Sequence, residues 1–360
     1  MPVLRFSVSL LACWLVSAVV AAHEPAASDC AAAATRFATA LDSQQHRRAA
    51  WPFAAVLREQ WSYRPGSAFR RQGIRTGELS DEQRRLAQSL LRCGLSSQGY
   101  LKAGGIIQLD ELVRERAGEI VMNDGSAPVE IGPEWFWFTL FGAPGDAAPW
   151  GFQVEGHHLT LNMTIVDGRL AVTPAFFGVW PATVEAGPLA GWRLLAGEEE
   201  RAFALAASLT DRQRQRALLS TELPPGIFTS PERTATLARY EGLPATALDP
   251  VQRRALLALV QEYIGNFAPD IASEWLQAIK RDQDRLHLAW MGALEPGKGT
   301  YYRIHGPSIL IEFDHASNIR VRGLPPDPNH IHTIVRRPGR DLGEDLLAAH
   351  YRNSRHHQSE

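Results

Sequence analysis

The stretch Trp150-Gly151-Phe152-Gln153-Val154-Glu155-Gly156-His157-His158-Leu159-Thr160-Leu161-Asn162-Met163-Thr164-Ile165-Val166-Asp167-Gly168-Arg169 decides how the chain reads. It is dense in β-branched and aromatic residues, which suit a pleated, buried surface, and Asp-Gly is a dipeptide that closes two-residue hairpins. Residues 150–166 read as one long strand that turns at Asp167-Gly168 into another over 169–177, and 134–141 reads as a strand before them. A second block of the same character covers 286–292, 300–305, 308–314 and 330–336.

Helical patterns flank both blocks. Ser28 or Asp29 caps a helix through about Asp42, with Cys30, Phe37 and Leu41 along one stripe. Ser80-Asp81-Glu82-Gln83 is a capping box that opens a helix to Cys93, and a further helix runs from Ser97 to near Arg116. Helices return at 198–220 and 249–281, and a short one spans 341–352. Strands in separate groups, without regular βαβ alternation, predict an α+β fold: a mainly antiparallel sheet from two strand blocks, flanked by helices, in a single large domain over 23–352. Residues 353–360 read as a flexible tail. Leu79-Ser80, Leu209-Thr210 and Leu248-Asp249 each precede a Gln-Arg pair at the same spacing; these read as three similar helix starts, not a solenoid.

Arg5 is the only charge before an apolar run from Phe6 to Val20 that ends in small residues, so residues 1–22 read as a cleavable signal peptide. Cys13 lies in a stretch resembling a lipidation box, but Trp14-Leu15-Val16 continues the apolar run where a polar tether belongs. The expected protein is exported, periplasmic or extracellular, with no membrane span after cleavage. Cys30 and Cys93 then remain. Each falls on a predicted helix, and both a disulfide and two buried thiols stay open.

The formal net charge of −2 offers no footprint for nucleic acid. Nucleophile elbows, phosphate loops, dinucleotide fingerprints and helical zinc motifs are absent from the sequence. The chemistry therefore rests on the twelve histidines. Read within a strand, His157 shares a face with Leu159 and Leu161, and His158 shares the other with Thr160 and Asn162. His330 and His332 follow the Pro-rich segment Leu324-Pro325-Pro326-Asp327-Pro328 and sit two apart on a strand, so both imidazoles reach one side. Glu312 and Asp314 alternate out of the strand Ile309-Leu310-Ile311. His350 falls on the apolar stripe of the last helix, as a core histidine or a ligand. His305, His315, His356 and His357 read as surface or tail residues.

Taken together, Trp150-Gly151-Phe152-Gln153, Gly156-His157-His158-Leu159, Asn162, Thr173-Pro174 with Phe176-Phe177-Gly178, Tyr301-Tyr302-Arg303-Ile304, Ile311-Glu312-Phe313-Asp314, Asn329-His330-Ile331-His332 and Gly343-Glu344-Asp345-Leu346-Leu347 resemble the bacterial family catalogued as domain of unknown function thirty-five hundred. The resemblance covers roughly residues 30–352. It implies a single domain and brings no reaction with it.

The expectation is a metal-dependent enzyme, hydrolytic or oxygen-using, acting on a small molecule. Its metal ligands are drawn from His158, His330, His332 and His350, and its catalytic groups from His157, His158 and Asp314. The cofactor is a divalent transition metal, zinc first, with copper or iron as alternatives, because imidazole suits all three. Aromatic residues around Trp135 and Trp150 would shape an apolar pocket. A non-catalytic exported protein that binds a metal or small ligand is the alternative, and a metal-free His–Asp pair is a third. The oligomeric state is not legible.

Overall fold

The computed structural model describes residues 26–115, 130–145, 148–231, 237–315 and 328–353. The leader expected at 1–22, the Leu324–Asp327 part of the Pro-rich segment and the tail histidines His356 and His357 lie outside the described residues. In chain order the first series of elements is α1 (Ala26–Ala40), α2 (Ser43–Ala49), β1 (Ala50–Trp51), β2 (Ile74–Arg75), α3 (Asp81–Cys93), α4 (Ser97–Glu115), β3 (Phe136–Phe141), β4 (Trp150–Gly156), β5 (Leu159–Val166), β6 (Arg169–Ala171) and β7 (Ala175–Val179). The second is α5 (Ala196–Ser208), α6 (Asp211–Ala217), β8 (Leu218–Ser220), β9 (Leu243–Pro244), α7 (Pro250–Ile264), α8 (Pro269–Arg281), β10 (His287–Gly292), β11 (Thr300–Gly306), β12 (Ile309–His315), β13 (Ile331–Arg336) and α9 (Glu344–Asn353).

These thirteen strands form one sheet in the order β1-β3-β4-β5-β7-β13-β12-β11-β10-β8, with β2 on β3, β6 on β5 and β9 on β10. Only β1 with β3 and β8 with β10 pair in parallel. The fold is therefore α+β, mainly antiparallel and a single domain, as the residues predict.

The strand order reads the same from either end, because the chain contains two copies of one unit. Each copy runs helix, short helix, edge strand, short strand, two helices, then an antiparallel meander. The capping residues repeat the match. Asp42 and Thr210 cap α2 and α6 with Gln45 and Gln213 at the third helical position, while Ser80 and Asp249 cap α3 and α7 with Gln83 and Gln252. Within each copy the two glutamines bond to one another, Gln45 to Gln83 and Gln213 to Gln252. Ser96 N donates to Asn266 O and Ala268 N to Gly94 O, a reciprocal pair across the pseudo-twofold axis. Leu79-Ser80 and Leu248-Asp249 are thus equivalent positions of a two-fold repeat, while Leu209-Thr210 corresponds to Leu41-Asp42. Their likeness is more than shared capping chemistry.

The two faces of the sheet differ. Phe138, Val154, Leu161, Phe177, Ile311, Ile304 and Leu288 join Phe37, Leu90, Leu109, Leu259 and Trp275 from the helices in one apolar core. The opposite face carries Gln153, Glu155, Thr160, Asn162, Glu312 and Asp314, all buried. It is covered largely by loops and short 3-10 turns, with α9 at one end: Gln153 Nε2 donates to Arg58 O, Ser62 N to Glu155, and Phe228 N and Thr229 N to Glu312, while Leu346 packs on Val166. Most buried polar groups in proteins are satisfied in this way. Cys30 of α1 is bonded to Cys93 of α3, which settles the disulfide alternative.

Several boundaries depart from expectation: 249–281 divides into α7 and α8, and 169–177 into β6 and β7. The 198–220 helix ends at Ser208, because Thr210 has extended backbone and caps a new helix. The first helix includes Ala26 and ends at Ala40, and Asp42 caps α2 instead of closing α1. The 150–166 strand is broken at His157-His158, and the candidate site depends on that break.

Candidate metal centre

His157 and His158 form the two-residue turn between β4 and β5, not consecutive positions of one strand. His158 has φ 63°, the left-handed region that a non-glycine residue enters at a cost of roughly 1 kcal/mol. The turn puts the two imidazoles on top of one another, ring centroids 3.7 Å apart and planes 29° apart, instead of on opposite faces. His158 N donates to Tyr63 O at 2.9 Å, and His158 O accepts from Gly178 N at 2.7 Å. Gly178 also makes room: a Cβ there would lie 3.1 Å from His158 Cδ2 and 3.0 Å from Ile331 O.

From the other repeat, β13 brings His332 opposite Gly178 on one side and Asp314 on the other, and His330 directly precedes the strand. His158 Nε2 and His330 Nε2 approach to 2.8 Å. One nitrogen from each of His158, His330 and His332 falls within a 4.8 Å cluster. Imidazole lone pairs lie in the ring plane, so ring inclination decides whether they can meet. Here the planes cross steeply, at 70° for His158 with His330, 82° for His330 with His332 and 55° for His158 with His332. Metal–nitrogen bonds of 2.0–2.1 Å place neighbouring donor nitrogens about 2.9–3.4 Å apart, close to the 2.8 Å between His158 and His330. Burial, reinforced by His157 and the facing histidines, holds His158 well below the usual imidazole pKa, and burial pushes His330 down to about 3. Both are neutral at pH 7, the state a metal requires. Trp180 stacks on His330 at 5.6 Å, and Tyr63 meets His332 edge-on at 5.0 Å.

A second cluster shares His158. His157 Nδ1 lies 2.5 Å from Asp110 Oδ1, and Gly132 N donates to Asp110 Oδ2 at 2.9 Å. Asp110, His157 and His158 also offer ligand atoms within 4.8 Å. The near-parallel stacking of the two imidazoles argues against a shared ion, since lone pairs in planes 29° apart and 3.7 Å separated do not converge about 2.1 Å from both rings. Asp110–His157 is a hydrogen-bonded pair beside the three-histidine cluster. The sequence reading passed over Asp110. It occupies the buried stripe of α4 with Ala103, Ile106 and Val113, and a carboxylate on such a stripe was the available signal.

The other expected residues separate. Asp314 faces His332 across the strands, and burial followed by the charge of Glu312 pushes its carboxyl up to about 8, so it is neutral at pH 7. It stands beside the histidine cluster, outside the converging set. Glu312 is held by Phe228 N, Thr229 and Tyr301 Oη, which gives it a structural role. His350 does not join the other histidines. Its Nδ1 bonds Asp167 at 2.9 Å, at the end of β5 remote from His158, and eight strand residues at 3.3 Å each span roughly 25 Å. His305 and His315 are buried, contrary to the surface reading, because covering chain leaves neither sheet face open. Trp150 belongs to the helix-side core and Trp135 packs with Trp137 and Arg75, so neither reaches the histidine cluster through any contact seen.

No curated protein and no solved structure matches the chain. The family model described as Protein of unknown function (DUF3500) matches residues 23–344. With nearly all of the domain covered, including the His157-His158 turn and the His330–His332 strand, the chain belongs to the DUF3500 family.

Proposed function

We propose that this is an exported, metal-dependent enzyme that acts on a small molecule through a mononuclear centre held by His158, His330 and His332. The observation that carries the reading is the convergence of three steeply inclined imidazoles contributed by both repeats, that of His158 buried and those of His330 and His332 half-buried. Three nitrogen donors leave a coordination position for water or substrate. A divalent ion so held supplies Lewis acidity and lowers the pKa of water toward neutrality, with zinc as first choice and copper or iron as the redox-active alternatives. The chain's own residues do the rest: Trp180 and Tyr63 border the cluster with aromatic surface, and Asp314, its carboxyl kept protonated by burial, is the cross-strand neighbour of His332. Export is supported by the Cys30–Cys93 disulfide and by the leader read at residues 1–22. Among the described residues no helix is long and apolar enough to cross a membrane.

The test compares metal-free protein with protein reconstituted with zinc, copper or iron, across ester, amide and phosphate substrates and in an oxygen electrode. Turnover that appears only with one metal is the predicted outcome. Stoichiometric metal with no turnover in any arm would favour the non-catalytic binding protein. Mass spectrometry of the secreted protein should find a terminus near His23.

A further inference from the structure

The Asp110–His157 pair has a counterpart in the second repeat. Leu95 bridges Phe267 across the pseudo-twofold axis, so α4 and α8 correspond and Asp110 matches Asp282. The turn between β11 and β12 is Pro307-Ser308, in the place of His157-His158. There Ser308 Oγ donates to Asp282 Oδ2. Both repeats thus tie the meander turn to an aspartate at matching helix positions, through the first turn residue, His157, in one and the second, Ser308, in the other. The first repeat differs by placing imidazoles at both turn positions, one bonded to the aspartate and the next among the converging nitrogens.

We infer that Asp110 is a positioning residue for the metal centre, acting through His157 on His158; the inference rests on the metal reading above. Asp110 accepts the Nδ1–H of His157 and fixes that ring's tautomer and plane. The ring lies 3.7 Å over His158 along its face. The His158 backbone is held by Tyr63 O and Gly178 N, so removing the carboxylate frees the stacked His157 ring that lies against the face of His158. Asp110 Oδ2 also accepts Gly132 N, which anchors the carboxylate itself. Partners hydrogen-bonded to a metal ligand typically set its affinity by 10–100-fold, and Asp110, which reaches His158 through a stacked ring, belongs at the low end of that range.

Asp110→Asn and Asp282→Asn make a matched comparison, each weakening the aspartate–turn tie of its own repeat. Zinc affinity is read by chelator competition, and the visible absorption of the cobalt(II) form reads ligand geometry. Asp110→Asn should bind zinc about tenfold more weakly and shift the cobalt spectrum. Asp282→Asn should leave both unchanged. If Asp110→Asn does not fold, His157→Phe, which keeps a stacked ring but loses the bond to Asp110, should give the same two effects. Equal zinc affinity and identical cobalt spectra in the wild type and the Asp110 or His157 variant would overturn the inference while leaving the metal reading intact. A wild type that takes up neither zinc nor cobalt would overturn both.

Discussion

His158 Nε2 lies 2.8 Å from His330 Nε2 although 172 positions separate the two residues in the chain. One comes from a turn in the first repeat, the other from the entrance to the last strand of the second. The contact is specified by β7 and β13, which join the two repeats at the middle of the sheet.

The left-handed backbone of His158 gives a test independent of metal chemistry. Glycine and alanine both remove the ring, but only alanine keeps the strain. His158→Gly should therefore be more stable than His158→Ala by about 1 kcal/mol, measured by urea unfolding of the metal-free proteins. Equal stability would show that the turn is not strained there.

Lys102 of α4 reaches Glu198 at 2.7 Å and Glu262 at 2.9 Å, linking the repeats through a buried ion cluster. Burial raises the Glu198 carboxyl above its usual pKa, so its charge depends on Lys102. Lys102→Met should cost roughly 3–5 kcal/mol, and adding Glu198→Gln should recover most of it. Denaturant midpoints of the single and double variants decide the matter.

The Cys30–Cys93 bridge closes a loop with a sequence separation of 63. In the chain-entropy description a loop of that size is worth about 4 kcal/mol. A Cys30→Ala/Cys93→Ala variant should fold with a lowered denaturant midpoint by that order. An unchanged midpoint would mean that α1 and α3 are held by packing alone.

Glu78 accepts from Arg48 Nη2 and from Arg75 N, and the Arg48 bond is the main cause that pulls its carboxyl down to about 2. A depressed pKa in the folded state means stability that is present above the unfolded value and lost as pH falls from about 4.5 toward 2. With partial exposure the gain is discounted to about 1 kcal/mol. Glu78→Gln should be less stable than wild type by that amount at pH 6, and the gap should narrow by pH 3 in parallel urea titrations.

Much of the fold was legible because local signals agreed with the tertiary structure. The β-branched runs became strands, Asp167-Gly168 closed a two-residue hairpin with both residues at positive φ, and Ser80-Gln83 capped a helix. The turn at His157-His158 was not legible. Neither residue is a turn former, and the apolar alternation continues on both sides, so only Gly156 marked the break. His330 and His332 were legible as a pair from strand spacing. His350 was misplaced because an apolar helix stripe says that a residue is covered, not what covers it. The twofold repeat was visible only as shared helix starts, since the paired strands differ in sequence while keeping topology.

The most direct test of the central claim is the metal content of untagged protein, measured by elemental analysis after reconstitution with zinc, copper or iron. Wild type should hold about one equivalent per chain, and His158→Ala, His330→Ala and His332→Ala should each lose most of it, while His350→Ala retains it. Less than about a tenth of an equivalent in the wild type, or full retention in all three cluster variants, would contradict the account.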